Sequence, residues 1–353
     1  MLRRIFQSPF FIRLSSWEYW PFHLVYLVTY PYWFWLCIRA RSFFFFSVAN
    51  PFIKNGGFLM ESKNDIYDLI PGKFYPKTIF VQRGTTPENV YSKINEANLN
   101  FPLIGKPDIG MRGRAVKKLQ DLTELDKYIR ETKVDFLIQE FISYEMEAGF
   151  FYYRYPNKKK GNISGIVLKE FLSVEGDGVS TISELLSKEK RKQLHKSEIA
   201  KEYPGYLCEV LPAGVKKLLV PYGNHSRGAK FVDASHMIND NLINCIDKIC
   251  QQVDGFFYGR LDIRFNSWQE LTEGRNFSII ELNGAGSEPS HIYDPKHSIF
   301  FAWKEIIRHA NILYRISKLN RKTIPYINFS LGIKMLYDNS RHIKLLNSEE
   351  KRA

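Results

Sequence analysis

"FSIIELNGAGSEPSH", Phe277 to His291, passes from an apolar run through a carboxylate and a carboxamide two residues apart and straight into glycines. In a strand successive side chains point to opposite faces, so Glu281 and Asn283 share one face while Ile280 and Leu282 share the other. An ordinary amphipathic strand ending in a glycine turn has the same pattern. The preceding "FFYGRLDIRFN", Phe256 to Asn266, favours a functional reading, because it alternates too and puts Arg260, Asp262 and Arg264 on one face. The polar, glycine-containing "SWQELTEGRN" between the two runs reads as a connection, which makes them an antiparallel hairpin with Asp262 facing Glu281 and Asn283. Two carboxylates and an amide oxygen at the ends of adjacent strands suit a hard cation, and Mg2+ takes one or two carboxylates together with phosphate oxygens. Arg260 on the same face favours an anionic ligand, so the hairpin is laid out for a metal nucleotide.

The rest of the chain sets the context. Its 353 residues are enough for two or three domains, and 44% hydrophobic with 25% charged residues exclude a disordered chain. A net charge of +13 implies acidic partners, whether nucleotide phosphates, anionic lipid or nucleic acid. Cys37, Cys208, Cys245 and Cys250 form no C-x-x-C pair and no histidine cluster accompanies them, which argues against a zinc site or a disulfide framework. Cys245 and Cys250 fall in "MINDNLINCIDKICQQV", whose helical apolar spacing makes them core thiols, and a reducing cytoplasmic compartment fits.

The N-terminus opens on the basic pair Arg3 and Arg4 and an apolar run, as a signal peptide would, but Arg13 interrupts it and no small-residue cleavage site follows. Residues 17–46 then hold four of the six tryptophans and the Phe43–Phe46 run. Pro21, His23 and Pro31 interrupt a stretch otherwise nearly long enough to span a membrane. Its Trp and Tyr residues with flanking Arg39 and Arg41 instead resemble a segment lying in the headgroup layer, at the inner face of the membrane. A buried aromatic subdomain or a homodimer interface is the main competing reading, and a true span the third.

After Pro51 the pattern is that of a mixed α/β chain. "SKNDIYDLI" reads as a helix capped by Ser62, "YPKTIFVQ" as a strand, "TTPENVYSKINEANLN" as a helix from about Pro87, and "LTELDKYIRETK" as another helix. "DFLIQEFI", "EAGFFYYRYP" and "SGIVLKEFL" read as strands, with "PNKKKGN" an exposed hairpin turn. "STISELLSKEKRKQLHKSEIAKEY" reads as one long basic helical stretch and "IFFAWKEIIRHANILYRISKL" as a C-terminal helix, followed after Asn347 by a charged, frayed tail. The expected organisation is an aromatic, basic segment over 1–56, a main α/β domain over 57–310, and a helical, basic tail over 311–353.

Three further stretches carry chemistry or its bland equivalent. In "LIGKPDIGMRGRAV" a strand brings Lys106 to a loop with Gly105, Gly110 and Gly113, where backbone N–H groups approach phosphate closely and the lysine neutralises it; a basic hairpin has the same composition, and no Walker loop is present. "FLIQEFISYEMEAGFFYYR" offers Gln139 and Glu140, then Glu145 and Glu147, either as an adenine edge and ribose acceptor or as a solvent-facing acidic edge. Gly176, Asp177 and Gly178 precede a helix start at Ser180 or Thr181, as a lid or as a simple turn.

Taken in order, these stretches resemble the ATP-grasp superfamily of carboxylate–amine ligases, most closely the D-alanine–D-alanine ligase and cyanophycin or glutathione synthetase types. The resemblance runs from about Gly57 to Asp294, and "GRLDI" followed by "IIELNGAGS" is its most specific part. It implies an ATP-grasp fold, two α/β subdomains gripping ATP between antiparallel sheets. Asp262, Glu281 and Asn283 are similar to that family's Mg2+ ligands, which hold two ions and accept Mn2+, and Arg260 to its arginine on the transferred phosphoryl group. Lys63, Lys106 and Lys169 resemble nucleotide and phosphate lysines, Gln139, Glu140, Phe141 and Ile142 the adenine hinge, and Glu147, with Glu145 as a substitute, the ribose acceptor. Asn224, His225 and Arg227 in "GNHSRGAKFVD" are similar to a substrate-side loop. Family ligases usually carry a further domain of roughly a hundred residues before the first lysine, where this chain has the aromatic segment.

The resemblance implies an ADP-forming reaction through an acyl phosphate, joining a small-molecule or peptide-like carboxylate to an amine. Backbone N–H groups around Gly284 to Ser287 are then expected to hold the oxyanion with Arg260, and Ser287, Ser290 and His291 to meet substrate, with a purely structural His291 as the alternative. Two rivals remain: a kinase on the same fold, and a non-catalytic membrane or nucleic-acid binding protein. No nucleic-acid module is present, and nucleic acid is not expected as a partner.

Overall fold

In the computed structural model, which describes residues 9–110, 113–221 and 223–350, the chain forms two antiparallel sheets and a small two-stranded one. Arg3 and Arg4 lie outside the described residues. The fold is mixed α/β with antiparallel sheets, the class expected above.

The first sheet holds β1 (Thr78–Val81), β2 (Leu103–Pro107), β3 (Lys117–Leu119) and β4 (Phe136–Glu140) in the order β1-β4-β2-β3. Two helices cover it. Helix Pro87–Glu96 starts with proline at its first turn, where the missing N–H costs nothing, and helix Leu122–Glu131 starts at Asp121, whose side chain accepts from Glu124 N–H. Val90, Ile94, Leu125 and Tyr128 from these helices close over Val81, Leu103, Phe136 and Ile138.

The second sheet holds β5 (Met146–Tyr153), β6 (Asn162–Glu170), β9 (Lys230–Asp233), β10 (Tyr258–Phe265) and β11 (Phe277–Asn283) in the order β11-β10-β5-β6-β9. Alternation divides it cleanly. Leu261, Ile263, Phe265, Ala148 and Phe150 point to one face and pack on helix Asp240–Cys250 through Leu242, Ile246, Ile249 and Cys250. The other face is half aromatic and half charged. Phe151 and Tyr258 lie under the N-terminal segment and helix Ile299–Asn320, while Glu147, Lys169, Arg260, Asp262 and Arg264 occupy the remainder.

The third sheet pairs β7 (Ser173–Glu175) with β8 (Lys216–Leu218) beside a separate core of Leu172, Val174, Ile182, Leu186, Ile199 and Leu211. Here the sequence expectation of one long helix is corrected: the stretch breaks into Ile182–Lys188, Lys190–Gln193 and Lys196–Glu202. Glu189 is extended between the first two, and Leu194, which follows the second, is buried. Thr181 rather than Ser180 caps the first helix, in a capping box with Glu184.

The N-terminal segment is built into the molecule. Phe45, Phe46 and Ala49 join Leu313, Tyr314 and Ile316 in one core, and Asn50 donates to Gly56 O and Tyr258 O and accepts from Phe257 and Tyr258 N–H. The boundary placed at residue 310 falls inside helix Ile299–Asn320; of the frayed tail expected after Asn347, residues 348–350 belong to helix Phe329–Glu350 and 351–353 lie outside the described residues. Among the described residues no helix is long and apolar enough to cross a membrane.

Candidate functional site

β10 and β11 pair in the register Arg260↔Asn283 and Asp262↔Glu281, so the two carboxylates are cross-strand neighbours. The register then slips between Asp262 and Ile263, where Ile263 pairs with Ile279 and Ile280 is left over as a bulge. Its freed carbonyl accepts from Tyr67 Oη at 2.5 Å and Lys106 Nζ at 3.2 Å, tying β11 to the first sheet.

Five charges of alternating sign lie across β10, β5 and β6. Arg260 donates from Nε (2.8 Å) and Nη2 (3.1 Å) to the two oxygens of Asp262. Lys169 Nζ bridges Asp262 Oδ2 (3.0 Å) and Glu147 Oε1 (2.8 Å), and Arg264 Nε closes the row on Glu147 Oε2 at 3.0 Å. Gly149 stands opposite Asp262 on β5, and a Cβ there would lie 2.9 Å from Asp262 Oδ1 and 3.0 Å from Arg260 Cδ, so only glycine leaves room for this pair. Burial alone pushes the Asp262 carboxyl up, but Arg260 and Lys169 outweigh it and hold it down at about 2. Glu147 is lowered against burial by Lys169 and Arg264, and Lys169 is raised against burial by Asp262 and Glu147.

Lys63 follows the cap residue Ser62 on helix Lys63–Leu69. Its Nζ donates to Asp108 O (3.3 Å) and Gly110 O (3.0 Å) and lies 3.8 Å from Glu281 Oε1. Asp108 secures the helix start by accepting from Ser62 Oγ and Asn64 N–H. Met111 and Arg112 of the glycine loop lie outside the described residues. Beyond them a Cβ on Gly113 would meet Asn224 Nδ2 at 2.8 Å, and Arg227 donates to Val116 O, so the glycine loop and the 224–227 loop are in contact.

Several expected contacts are redirected. Lys106 is buried, with Tyr67 Oη and Gln139 Oε1 at 2.8 Å and Ile280 O as acceptors for all three of its N–H bonds, so it positions the sheets and has no donor left for phosphate. Both Glu147 oxygens are taken by cations, whereas Glu145 is exposed. In the hinge, Glu140 N–H donates to Lys77 O and Ile142 O accepts from Arg264 Nη1; Phe141 lies between Lys118 (4.0 Å) and Arg264 (5.5 Å).

In the run after Asn283 the N–H groups of Ala285, Gly286 and Ser287 are already bonded within the chain rather than offered to an oxyanion. Ala285 and Gly286 donate to Gly56 O and Gly57 O, Ser287 N–H donates to Gly284 O, and a Cβ on Gly284 would lie 2.7 Å from Gly57 Cα. The close approach is to the N-terminal segment, a partner that local pattern did not identify. Ser287 Oγ turns back on Asn283 O and Gly284 O, while Ser290 Oγ accepts from Arg260 Nη1 at 2.7 Å.

His291 is buried with its Nε2 3.4 Å from Glu305, which also meets Arg308, and so takes the structural alternative. His225 lies 3.1 Å from Glu18 Oε2 and packs on Tyr19 and Tyr293, so the N-terminal segment occupies the imidazole expected to meet substrate. Glu18 also accepts from Arg191.

Arg264, Tyr67 and Glu61 were missed as site residues. Arg264 shares the Arg260 and Asp262 face by simple alternation, and Tyr67 lies one helical turn from Lys63, so both signals were present. Glu61 carries a buried oxygen without a hydrogen-bond partner, and burial raises its carboxyl, helped by Glu281 and opposed by Lys63.

Burial pushes Lys106 down to about 8. An unfolded lysine titrates near 10.4, so between these values the unfolded chain holds a proton that the folded chain has released, and stability rises with pH across that window. Lys106→Met is expected to remove a rise on the order of 3 kcal/mol. Urea unfolding of both proteins at neutral and alkaline pH checks this, and parallel stability profiles would refute it.

No protein-family model matches the chain, and no curated protein sequence matches it. Among solved structures it is similar to VanG D-Ala:D-Ser ligase from Enterococcus faecalis, at 14% identity over 77% of this chain and 64% of that one, TM-score 0.41. It is similar to D-alanine–D-alanine ligase from Bacillus anthracis at 13% identity over 74% and 67%, TM-score 0.40. A bifunctional glutathione synthetase from Pasteurella multocida matches at 15% identity over 67% of this chain and 34% of that one, TM-score 0.36. The chain thus spans about a third of that synthetase's length and just under two thirds of VanG. At such identities and TM-scores, the roles of individual residues rest on the geometry above.

Proposed function

We propose that the chain is an ATP-dependent, ADP-forming ligase of the ATP-grasp kind, joining a carboxylate to an amine through an acyl phosphate. The observation that carries this reading is the buried row Arg260–Asp262–Lys169–Glu147–Arg264, which ends beside Glu281 and Asn283 on the neighbouring strand.

The donor set fits Mg2+ provided that Asp262, whose two oxygens accept from Arg260 and Lys169, exchanges one of these cations for the ion. Asp262 and Glu281 are cross-strand neighbours, and Asn283 has a buried Nδ2 without a hydrogen-bond partner, on a side chain whose amide oxygen and nitrogen exchange places by a rotation. Among the described residues no group of three His, Cys, Asp or Glu side chains is placed to hold a metal ion, and an ion here would rest on two carboxylates and one amide, as Mg2+ does when phosphates complete its shell. When bound, the ion supplies charge screening for the phosphates.

The chain's own residues do the rest. Arg260 is fixed by Asp262 and Ser290, which orients its guanidinium for a planar anion. Lys169 is kept charged by two carboxylates and can exchange one of them for a phosphate oxygen. Lys63 brings a second ammonium to Glu281 and holds Gly110 at the start of the glycine loop. The hinge Gln139 to Ile142 would take adenine, with exposed Glu145 better able than Glu147 to accept from ribose. Asn224 and Arg227, against the glycine loop, would meet the acid or the amine. Phosphoryl transfer needs such positioning and charge rather than a strong nucleophile.

The test is mass spectrometry of the full chain incubated with Mg-ATP and pools of carboxylates and amines. ADP, phosphate and a new amide are expected together. A phosphorylated product in place of the amide would assign a kinase instead, and absence of ATP binding would sink the nucleotide site altogether.

A further inference from the structure

The N-terminal segment buries one side of itself and leaves the other bare. From Phe22 to Ala40 it is helical throughout, α over Phe22–Tyr26 and Tyr30–Ala40 with a 3-10 turn between them. Leu36, Cys37 and Ala40 join the core with helix Ile299–Asn320. Leu24, Leu27, Val28, Phe34, Trp35 and Ile38 recur at helical spacing on the opposite side and are exposed, Leu27 at 58% and Ile38 at 75%. A contiguous apolar stripe of this kind marks a surface that meets something other than water.

Charge identifies the partner. No aspartate or glutamate occurs between Tyr19 and Met60, or between Ile306 and Tyr337, the two stretches that build this side of the molecule. Arg39, Arg41, Lys318, Arg321 and Lys322 lie within them. At the end of the segment a cavity of about 540 Å3 is lined by Arg41, Arg321 and Lys322 together with Phe43, Phe44 and Phe329. Among the described residues no carboxylate pairs with Arg41 or Lys322. Phe43 and Phe329 meet at 6.1 Å on its rim and are both more than half exposed.

We propose that this side of the protein docks on an anionic lipid bilayer, the stripe entering the interfacial layer and a phospholipid phosphate seating in the cavity among Arg41, Arg321 and Lys322. An amphipathic segment that cannot span, with aromatic residues on one side and arginines beside it, lies in the plane of the interface. A second copy of the chain is the poorer occupant, because a two-fold interface would set these acid-free basic surfaces against each other.

Flotation of the full chain with phosphatidylcholine vesicles, with and without phosphatidylglycerol, tests this. Binding at least about tenfold stronger to the anionic vesicles is expected. Leu27→Glu with Ile38→Glu should abolish binding to both. Arg41→Ala with Lys322→Ala should weaken anionic-vesicle binding about thirtyfold and neutral-vesicle binding by less, because the phosphatidylcholine phosphate is balanced by its own choline. All four side chains lie on the surface or the cavity wall, and unchanged urea midpoints confirm that the variants fold. Equal binding to both vesicles, or none to either, overturns the proposal. So does a dimer that the Leu27 and Ile38 changes dissociate while vesicle binding is unaffected.

Discussion

Asp262→Asn is expected to cut ADP formation by at least about a hundredfold and to destabilise the fold by about 3–5 kcal/mol. Both effects have one cause. Among the described residues Asp262 is the carboxylate that pairs with both Arg260 and Lys169, and all three side chains are largely buried, so a neutral amide would leave two cations facing each other with one partner fewer. Glu281→Gln is the informative contrast. Glu281 is a third exposed and meets a cation only at 3.8 Å, so its loss should cost no more than about 1 kcal/mol while turnover falls as far. Urea unfolding and ADP release on the two variants separate the roles, and wild-type turnover in either would remove that residue from the site. The Asp262 carboxyl, held at about 2 in the fold against about 3.9 unfolded, adds a pH signature. Its contribution is complete above the unfolded value and is lost as pH falls towards 2, so acid unfolding of Asp262→Asn should be less steep.

The hairpin was legible because period-two alternation is a local signal: it put Arg260, Asp262 and Arg264 on one face and implied the Asp262–Glu281 pairing found. Helix starts at Ser62 and Pro87 were legible for the same reason, since cap chemistry acts within one turn. The Ile280 bulge was not, because it depends on Tyr67 and Lys106 arriving from other elements to take its carbonyl. Nor was the crossing of Gly284 over Gly57, where the sequence shows flexible glycines and only the folded chain shows what they let approach. His225 illustrates the limit. "GNHSRG" reads as a polar, ligand-facing loop, yet its imidazole is met by Glu18 from the far N-terminus. Lys106 was legible as a lysine at a strand end, but its three acceptors come from three different segments, and their convergence is what turns it from a phosphate donor into a support.

Lys169→Met should destabilise the protein by about 3–5 kcal/mol at pH 7, and the loss should shrink as pH falls. Lys169 is the middle charge of five, and without it Glu147 and Asp262 lose their shared cation while each keeps one arginine. Two buried carboxylates so placed raise each other's proton affinity, so one of them takes up a proton in the folded variant at a pH where the unfolded chain has not. The folded state then binds more protons than the unfolded state, and stability rises on acidification until the unfolded carboxylates also protonate, near pH 4. The wild-type row behaves oppositely, because its carboxylates are held below their unfolded values. Unfolding free energies of both proteins at pH 7 and at mildly acid pH should therefore converge; a constant gap would mean that Lys169 matters through packing alone. ADP formation should not recover along with stability. A proton shared between Glu147 and Asp262 restores the balance of buried charge, but it leaves no ammonium between β6 and β10 to face a phosphate, and this separates the catalytic part proposed for Lys169 from its structural part.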